Sequence, residues 1–401
     1  MLKGNAIIGQ SGGPTSVRNC SLAGVISEAA KCRSITGIYG MRFGIEGFLK
    51  EDIIDLKKEG KNIIKQLQMT PSSALGSCRL KLKDKHLPPI KRILEKYNIR
   101  HFYLIGGNDT MDTIKKVEEY CWDNGYEIQG IGIPKTVDND LYGTDHTPGF
   151  PSAARYVALS VMQGGILARD MQKVDQFTIY QAVGRDSGWL AASSALAKQK
   201  ESDPPHIILI PEVPFNRNKF LAEFKRCYTK YGWVSIVLGE GVSYADGTPI
   251  SASRTKDKFS NIEFGAMGGT SAAMMLHKII SDKFNVRGEF QVVESLQMCA
   301  SDRVSKIDAT EAFRCGCEAV RLSIKSKSGL MVSMGRAKGK AYKAFYGTEP
   351  LKNVAIKAKP MPKKFISKSG FFVNQSFIDY LKPLVGELPS YAFLKAVKVR
   401  V

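Results

Sequence analysis

No stretch of the 401-residue chain stays apolar for the roughly 20 residues that crossing a bilayer requires. The first residues, Met1-Leu-Lys-Gly-Asn-Ala-Ile-Ile, also lack the layout of a secretory leader: the apolar run is short and meets glycines at once. Eight cysteines are scattered. Only Cys315 and Cys317 sit close, and no second pair or histidine cluster completes a zinc site. They read as reduced thiols of a cytoplasmic protein. The chain has no internal repeat of short period and no low-complexity tail. It also lacks a basic stripe interleaved with aromatics, which argues against nucleic acid as a partner.

Positive charge is abundant. The formal net charge is +20, which favours anionic partners such as phosphorylated metabolites. The lysines are dispersed, as at Lys57-Lys58, Lys198, Lys200 and Lys363-Lys364, so a solvated basic surface is the competing explanation. A hydrophobic content of 43% supports a real core, and the length suits two or three ordinary domains or one large two-lobed one.

Short apolar runs alternate with helical spacing. Lys3 to Gly9 reads as a strand, Gln10-Ser-Gly-Gly-Pro-Thr15 breaks it, and Leu22, Val25, Ile26 and Ala29 recur as on a helix. Arg100 to Ile105 is a second strand, Gly106-Gly-Asn-Asp-Thr110 its turn, and Met111 to Tyr120 its helix. Further strands are expected at Tyr126–Ile133, Gln176–Tyr180, His206–Ile210 and Trp233–Leu238. The third of these six precedes Pro134-Lys-Thr-Val-Asp-Asn-Asp140. The fourth leads into Val183-Gly-Arg-Asp-Ser-Gly-Trp189 and an alanine-rich helix, and the sixth ends in Gly239-Glu-Gly241. Alternation of this kind predicts an α/β fold with a mostly parallel sheet, whose ligands bind beyond the carboxyl ends of the strands. Pro360-Met-Pro-Lys-Lys364 reads as a loop.

Five glycine- or aspartate-rich turns fall at strand ends, which suggests one cleft built by several loops. Gly12-Gly13 ahead of a helix lets backbone N–H groups approach phosphate oxygens, or is a plain tight turn. No Walker lysine follows, so a P-loop nucleotide site is not expected. Asn108 and Asp109 are placed either to serve Mg²⁺ or to cap the helix. Asp138 and Asp140, two apart, face one side if the segment is extended, so that one carboxylate could take a proton while the other organises metal or water; an Asp-rich turn with a surface salt bridge is the alternative. Lys135 beside them offers charge to a transferring phosphoryl group.

Gly9-Gln-Ser-Gly-Gly-Pro-Thr15, Leu75-Gly-Ser-Cys-Arg79, Gly106-Gly-Asn-Asp-Thr110, Pro134-Lys-Thr-Val-Asp-Asn-Asp140, Val183-Gly-Arg-Asp-Ser-Gly-Trp189 and Gly239-Glu-Gly241 occur in the order, and at roughly the spacing, of the phosphofructokinase family. Together they resemble that family specifically, and the likeness runs through Tyr380-Leu-Lys-Pro-Leu-Val-Gly386. ATP-using members carry glycines where this chain has Asp109 and Lys135. The branch using inorganic pyrophosphate carries Asp and Lys there.

The resemblance implies two Rossmann-like lobes with mostly parallel sheets around a central cleft. A donor-side lobe would span about 1–145, an acceptor-side lobe 146–295, and residues 296–401 would return to both. It implies reversible, Mg²⁺-dependent transfer from pyrophosphate to fructose 6-phosphate in a homodimer or homotetramer. Gly12, Arg79 and Lys135 would meet pyrophosphate, with Lys135 and Asp109 also part of the catalytic set. Asn108 and Asp140 would attend Mg²⁺. Thr136, Val137 and Asp138 would meet the sugar phosphate, with Asp138 as general base. Val183, Gly184, Arg185 and Glu240 complete the acceptor site. The chain departs from the family mildly at Asn108, where Asp is more usual, and at Val183, where Met is usual, and more strongly in one segment: Leu296-Gln-Met298 stands where Leu-Gln-Arg is usual, Ser295 where Tyr or His is frequent, and Arg287 lies about two residues too far back for an upstream arginine. Arg287 and Arg303 are the candidate replacements for the missing arginine. The same departure leaves open another acceptor, such as sedoheptulose 7-phosphate, or a regulatory subunit without catalysis.

Overall fold

The computed structural model describes residues 2–251, 270–339, 341–355 and 358–394. Among the described residues, eleven strands build two sheets: β1 Gly4–Gln10, β2 Ile35–Met41, β3 Ile53–Asp55, β4 Ile99–Gly106, β5 Gln129–Pro134, β6 Phe177–Ala182, β7 Ile207–Leu209, β8 Val234–Gly239, β9 Gly288–Val292, β10 Leu330–Arg336 and β11 Ala344–Pro350. The first sheet has the order β11-β10-β5-β4-β1-β2-β3, the second β7-β8-β6-β9. Only the β2–β3 and β10–β11 pairs are antiparallel. All pairs of the second sheet are parallel. The expected α/β class and mostly parallel sheets are therefore present.

The six expected strands all form, with ends displaced by one to three residues. They were readable because a parallel sheet is covered by helices on both faces, so its central strands are apolar nearly throughout. In β4, for example, every residue from His101 to Gly106 is buried. β9 and β11 are mostly half-buried edge strands and carry a weaker apolar signal.

Chain order explains where the cleft lies. From β1 the chain steps to β2 and β3 on one side, then to β4 and β5 on the other. The switch between β1 and β4 opens a crevice beyond their carboxyl ends, where the turns after Gln10 and after Gly106 face each other. In the second sheet β6 holds the equivalent place, with β8 on one side and β9 on the other. β10 and β11, late in the chain, extend the first sheet. The C-terminal helix Gln375–Val385 packs Phe377, Leu381, Leu384 and Val385 with Val157 and Val161 of the helix Phe150–Asp170.

The helix Arg18–Ala29 crosses the helix Lys306–Ile324 at very short range. A Cβ on Gly24 would lie 2.0 Å from the Phe313 carbonyl oxygen, and one on Gly316 would lie 2.1 Å from that of Ser21. These two glycines set the approach, because no larger residue fits either backbone contact.

Candidate active site

The turn after β1 is held from below. Ser77 Oγ donates to the Gly12 carbonyl at 2.7 Å, and the Gly12 N–H donates to the Cys78 carbonyl at 3.2 Å. Gly12 has φ +78°, so the loop bends as glycine readily allows. A Cβ there would stand 3.5 Å from Lys135 Nζ, while Gly13 has no atom within 4 Å of that position. Open space therefore lies beside Gly13, and the Gly12 amide, expected to meet a phosphate, is already bonded within the protein. Arg79, next to Cys78, is exposed and close enough to Lys135 to oppose its charge.

The turn after β4 decides between two readings of Asn108 and Asp109. The helix Asn108–Asp123 begins at Asn108 itself, with Gly107 as its N-cap and no side-chain cap bond. Neither residue caps. Asn108 Oδ1 is buried without a hydrogen-bond partner, and Asp109 is exposed in the first turn.

The turn after β5 gathers closely interacting charges. Lys135 is 5% exposed and donates its N–H to the Gly106 carbonyl. Burial pushes its ammonium down to about 7, with nearby Arg18 adding to the effect and Asp138 and Asp140 opposing it. Thr136 Oγ1 accepts from the Asp138 N–H at 3.1 Å, and Asn139 turns the chain with φ +55°. Asp138 is pushed up to about 7 by burial, then by Asp140 and Glu240, against the pull of Lys135 and Arg185. Asp140 is raised by burial too, while Lys135 and Lys359 lower it. Val137 faces inward and packs in the core with Phe150 and Tyr180, so it shapes the turn from behind.

The second sheet reaches this turn. Ser187 Oγ donates to the Asp138 carbonyl at 2.9 Å. Gly184, with φ +129°, donates to Glu240 Oε1 at 3.3 Å, and Glu240 is itself buried at the end of β8. A Cβ on Gly241 would fall 1.7 Å from the Arg185 carbonyl oxygen, so the turns after β6 and β8 are in direct backbone contact. Val183 packs against the same core cluster as Val137. Thus Gly12, Arg79, Asn108, Asp109, Lys135, Thr136, Asp138, Asp140, Gly184, Arg185 and Glu240 all lie on turns at the carboxyl ends of the two sheets or on the segment bonded to them.

Two expected residues do not join them within the chain. Arg287 precedes β9, at the amino end of the sheet, and pairs with Asp175 at 2.9 Å. Arg303 donates to Ser160 Oγ at 2.8 Å and lies 4.7 Å from the Tyr156 ring, on the flank of the helix Phe150–Asp170. Met298, half-buried, packs against the apolar cluster of Val137 and Tyr180.

Other residues at the site were not legible in sequence. Arg18 lies beneath the glycine turn. Lys359 donates from Nζ to the Thr144 and Asp145 carbonyls, both at 2.9 Å, and from its N–H to the Asp140 carbonyl at 2.6 Å. Burial pushes its ammonium down to about 8. His146 bridges Asp145 at 2.9 Å and Glu311 at 2.7 Å. Arg18 and Lys359 depend on main-chain carbonyls, and His146 on the distant Glu311 as well as its neighbour Asp145.

Among the described residues, no group of three or more His, Cys, Asp or Glu could hold a metal ion. The unpartnered Asn108 oxygen and the crowded Asp138–Asp140 pair nonetheless suit a hard cation. Mg²⁺ commonly takes one or two protein oxygens and completes its shell with water and substrate phosphate, and these residues fit that pattern.

Residues 5–323 match the phosphofructokinase family model. A pyrophosphate–fructose 6-phosphate 1-phosphotransferase of Halomonas elongata is 36% identical over 392 residues, covering 96% of this chain and 92% of its own. One of the same name from Rhodospirillum rubrum is 35% identical over 393 residues, covering 96% and 95%. The crystal structure of a pyrophosphate-dependent phosphofructokinase from Nitrosospira multiformis superposes with a TM-score of 0.88 at 34% identity, over 98% of this chain and 94% of that one. The chain belongs to the phosphofructokinase family, enzymes that transfer a phosphoryl group to an alcohol. Within it, these near-full-length relatives are by name users of pyrophosphate.

Proposed function

We propose that the chain transfers a phosphoryl group from inorganic pyrophosphate to the 1-hydroxyl of fructose 6-phosphate, giving fructose 1,6-bisphosphate and phosphate. The observation that carries this reading is Lys135. Its buried ammonium stands between the glycine turn after β1 and the carboxylate of Asp138. A small, highly charged donor beside Gly13 would meet that cation at once. Asp109, at the start of the neighbouring helix, puts a carboxylate where the α-phosphate of a nucleotide would lie.

Asp138 is the general base. Its carboxyl, raised toward neutrality by burial and two neighbouring acids, can accept the proton of the 1-hydroxyl and return it in the reverse direction. As the hydroxyl oxygen bonds to phosphorus, the bridging P–O bond breaks and phosphate leaves with its electron pair. Lys135 and Arg79 offset the charge on the donor oxygens. Asn108 and Asp140 would hold Mg²⁺, which supplies further positive charge to the phosphoryl group. Glu240, fixed by the Gly184 N–H, is placed to accept from sugar hydroxyls. A cytoplasmic dimer or tetramer, with subunits sharing contacts to the sugar phosphate, belongs to the same reading.

A coupled assay of the purified chain tests it, with pyrophosphate or ATP offered against several sugar phosphates. Turnover with pyrophosphate and fructose 6-phosphate is expected, with little or none from ATP. Comparable rates with ATP would refute the donor assignment. Preference for sedoheptulose 7-phosphate would move the acceptor. Binding of sugar phosphate without turnover would indicate a regulatory subunit.

A further inference from the structure

Arg18 is fully buried in the first turn of the helix Arg18–Ala29, directly beneath the glycine turn. Its Nη2 donates to the carbonyls of Ser11 at 2.7 Å and Ile105 at 3.1 Å. Its Nη1 donates to Ser73 Oγ at 2.6 Å and to the carbonyls of Gly12 at 3.3 Å and Gly13 at 3.4 Å. One guanidinium therefore gathers four carbonyls, three of them successive in the turn. With those carbonyls drawn inward and the Ser11 and Gly12 amides bonded to the Ile105 and Cys78 carbonyls, the turn leaves open space beside Gly13.

The charge is also uncompensated. Among the described residues no carboxylate forms an ion pair with Arg18. Burying a cation without a counter-charge is costly, and burial pulls the group down to about 9. Arg18 is also near enough to Lys135 to disfavour its charge. Two buried cations thus flank one short loop. Mutual repulsion of this kind destabilises the empty site and is relieved by a polyanion.

Building on the pyrophosphate reading above, we propose that Arg18 is a positioning residue for the phosphoryl donor. It fixes the Ser11–Gly13 turn and adds a second positive charge behind it, so that the loop is preorganised for pyrophosphate in particular. It does not touch the donor. It acts through the main chain that it holds and through the field that it adds.

Steady-state kinetics and direct pyrophosphate binding of Arg18→Met, Arg18→Lys and Ser73→Ala test this, with Tm measured for each. Arg18→Met, which loses a unit charge close to a polyanion, is expected to raise KM and Kd for pyrophosphate about ten- to a hundredfold. KM for fructose 6-phosphate should stay within about threefold, since Arg18 bonds only to the donor-side turns and Ser73. Arg18→Lys retains charge without the planar fork and should recover only part of the affinity. Ser73→Ala removes the 2.6 Å bond alone and should raise the pyrophosphate KM by a smaller factor.

Should Arg18→Met fail to fold, Arg18→Lys and Ser73→Ala decide. An unchanged pyrophosphate KM in both overturns the inference, as does an equal rise for both substrates. Wild type that works with ATP and not pyrophosphate overturns the proposed donor, and pyrophosphate as the ligand with it. Wild type that works with pyrophosphate while the variants bind it normally overturns only the role of Arg18.

Discussion

Asp138→Asn removes one proton acceptor and little else. The backbone bonds that shape the turn do not involve the carboxylate: the Asp138 N–H donates to Thr136 Oγ1, and the Asp138 carbonyl accepts from Ser187. A general base contributes about 10²–10⁴ in rate, or roughly 3–5 kcal/mol of barrier. Asp138, partly buried and poised near the working pH, suits the upper part of that range. Stability should not fall. Asp140 and Glu240 both push the Asp138 carboxyl up, so replacing it with an amide relieves crowding among three acids. Pyrophosphate affinity is subject to opposing effects, because Lys135 loses a carboxylate that supports its charge while the donor loses one that repels it. The net change in pyrophosphate KM should be within about threefold. Steady-state kinetics with a thermal melt gives all three numbers. A variant retaining more than about a tenth of wild-type kcat would remove Asp138 from proton transfer. A large loss of kcat accompanied by a clearly lower Tm would show that the carboxylate is structural.

Lys135→Met should lower kcat/KM for pyrophosphate about 10²–10³-fold, since it deletes a buried cation that lies beside both the glycine turn and Asp138; comparable rates in both proteins would contradict the donor assignment. Gly316→Ala drives a methyl toward the Ser21 carbonyl and should cost about 1–3 kcal/mol by overpacking, read as a drop in Tm. Activity per folded molecule should survive, and an unchanged Tm would mean that the two helices can separate freely. Glu311→Gln tests the His146 bridge, where burial disfavours the imidazolium but the bonds to Asp145 and Glu311 outweigh it and raise its pKa. Tyr342 and Arg336 complete that cluster, bonded to Glu311 and Asp145 respectively. A raised His gives stability that is full below the unfolded pKa of about 6.5 and lost as pH rises through the folded value. The Tm gap between wild type and Glu311→Gln should thus be wider near pH 6 than near pH 9, and a gap that widens with pH would contradict the sign.

The strand–turn–helix units were legible because each is local: an apolar run, glycines, then helical spacing. Their convergence was legible too, since parallel strands place all their carboxyl ends on one side. Side-chain destinations set by distant partners were not. Arg18 finds its acceptors in a neighbouring turn and in Ile105. Lys359 reaches the turn after β5 from more than 200 residues away. Met298 differs from the family arginine in sequence, yet only the fold reveals its packing against Val137 and Tyr180. Arg287 was the nearest candidate although about two residues too far back along the chain, and it precedes β9, at the amino end of that strand, paired with Asp175. The choice for Asn108 between cap and ligand could not be made until Gly107 proved to be the cap and the Asn108 oxygen was left unpartnered.

Phosphorus NMR of purified chain with Mg²⁺, pyrophosphate and fructose 6-phosphate addresses the central claim most directly. Pyrophosphate signal should be replaced one-for-one by inorganic phosphate and by the 1-phosphate of fructose 1,6-bisphosphate. Mixing the bisphosphate with phosphate should regenerate pyrophosphate. Release of two phosphates per pyrophosphate without a bisphosphate signal, or a bisphosphate that forms only when ATP is supplied, would contradict the account.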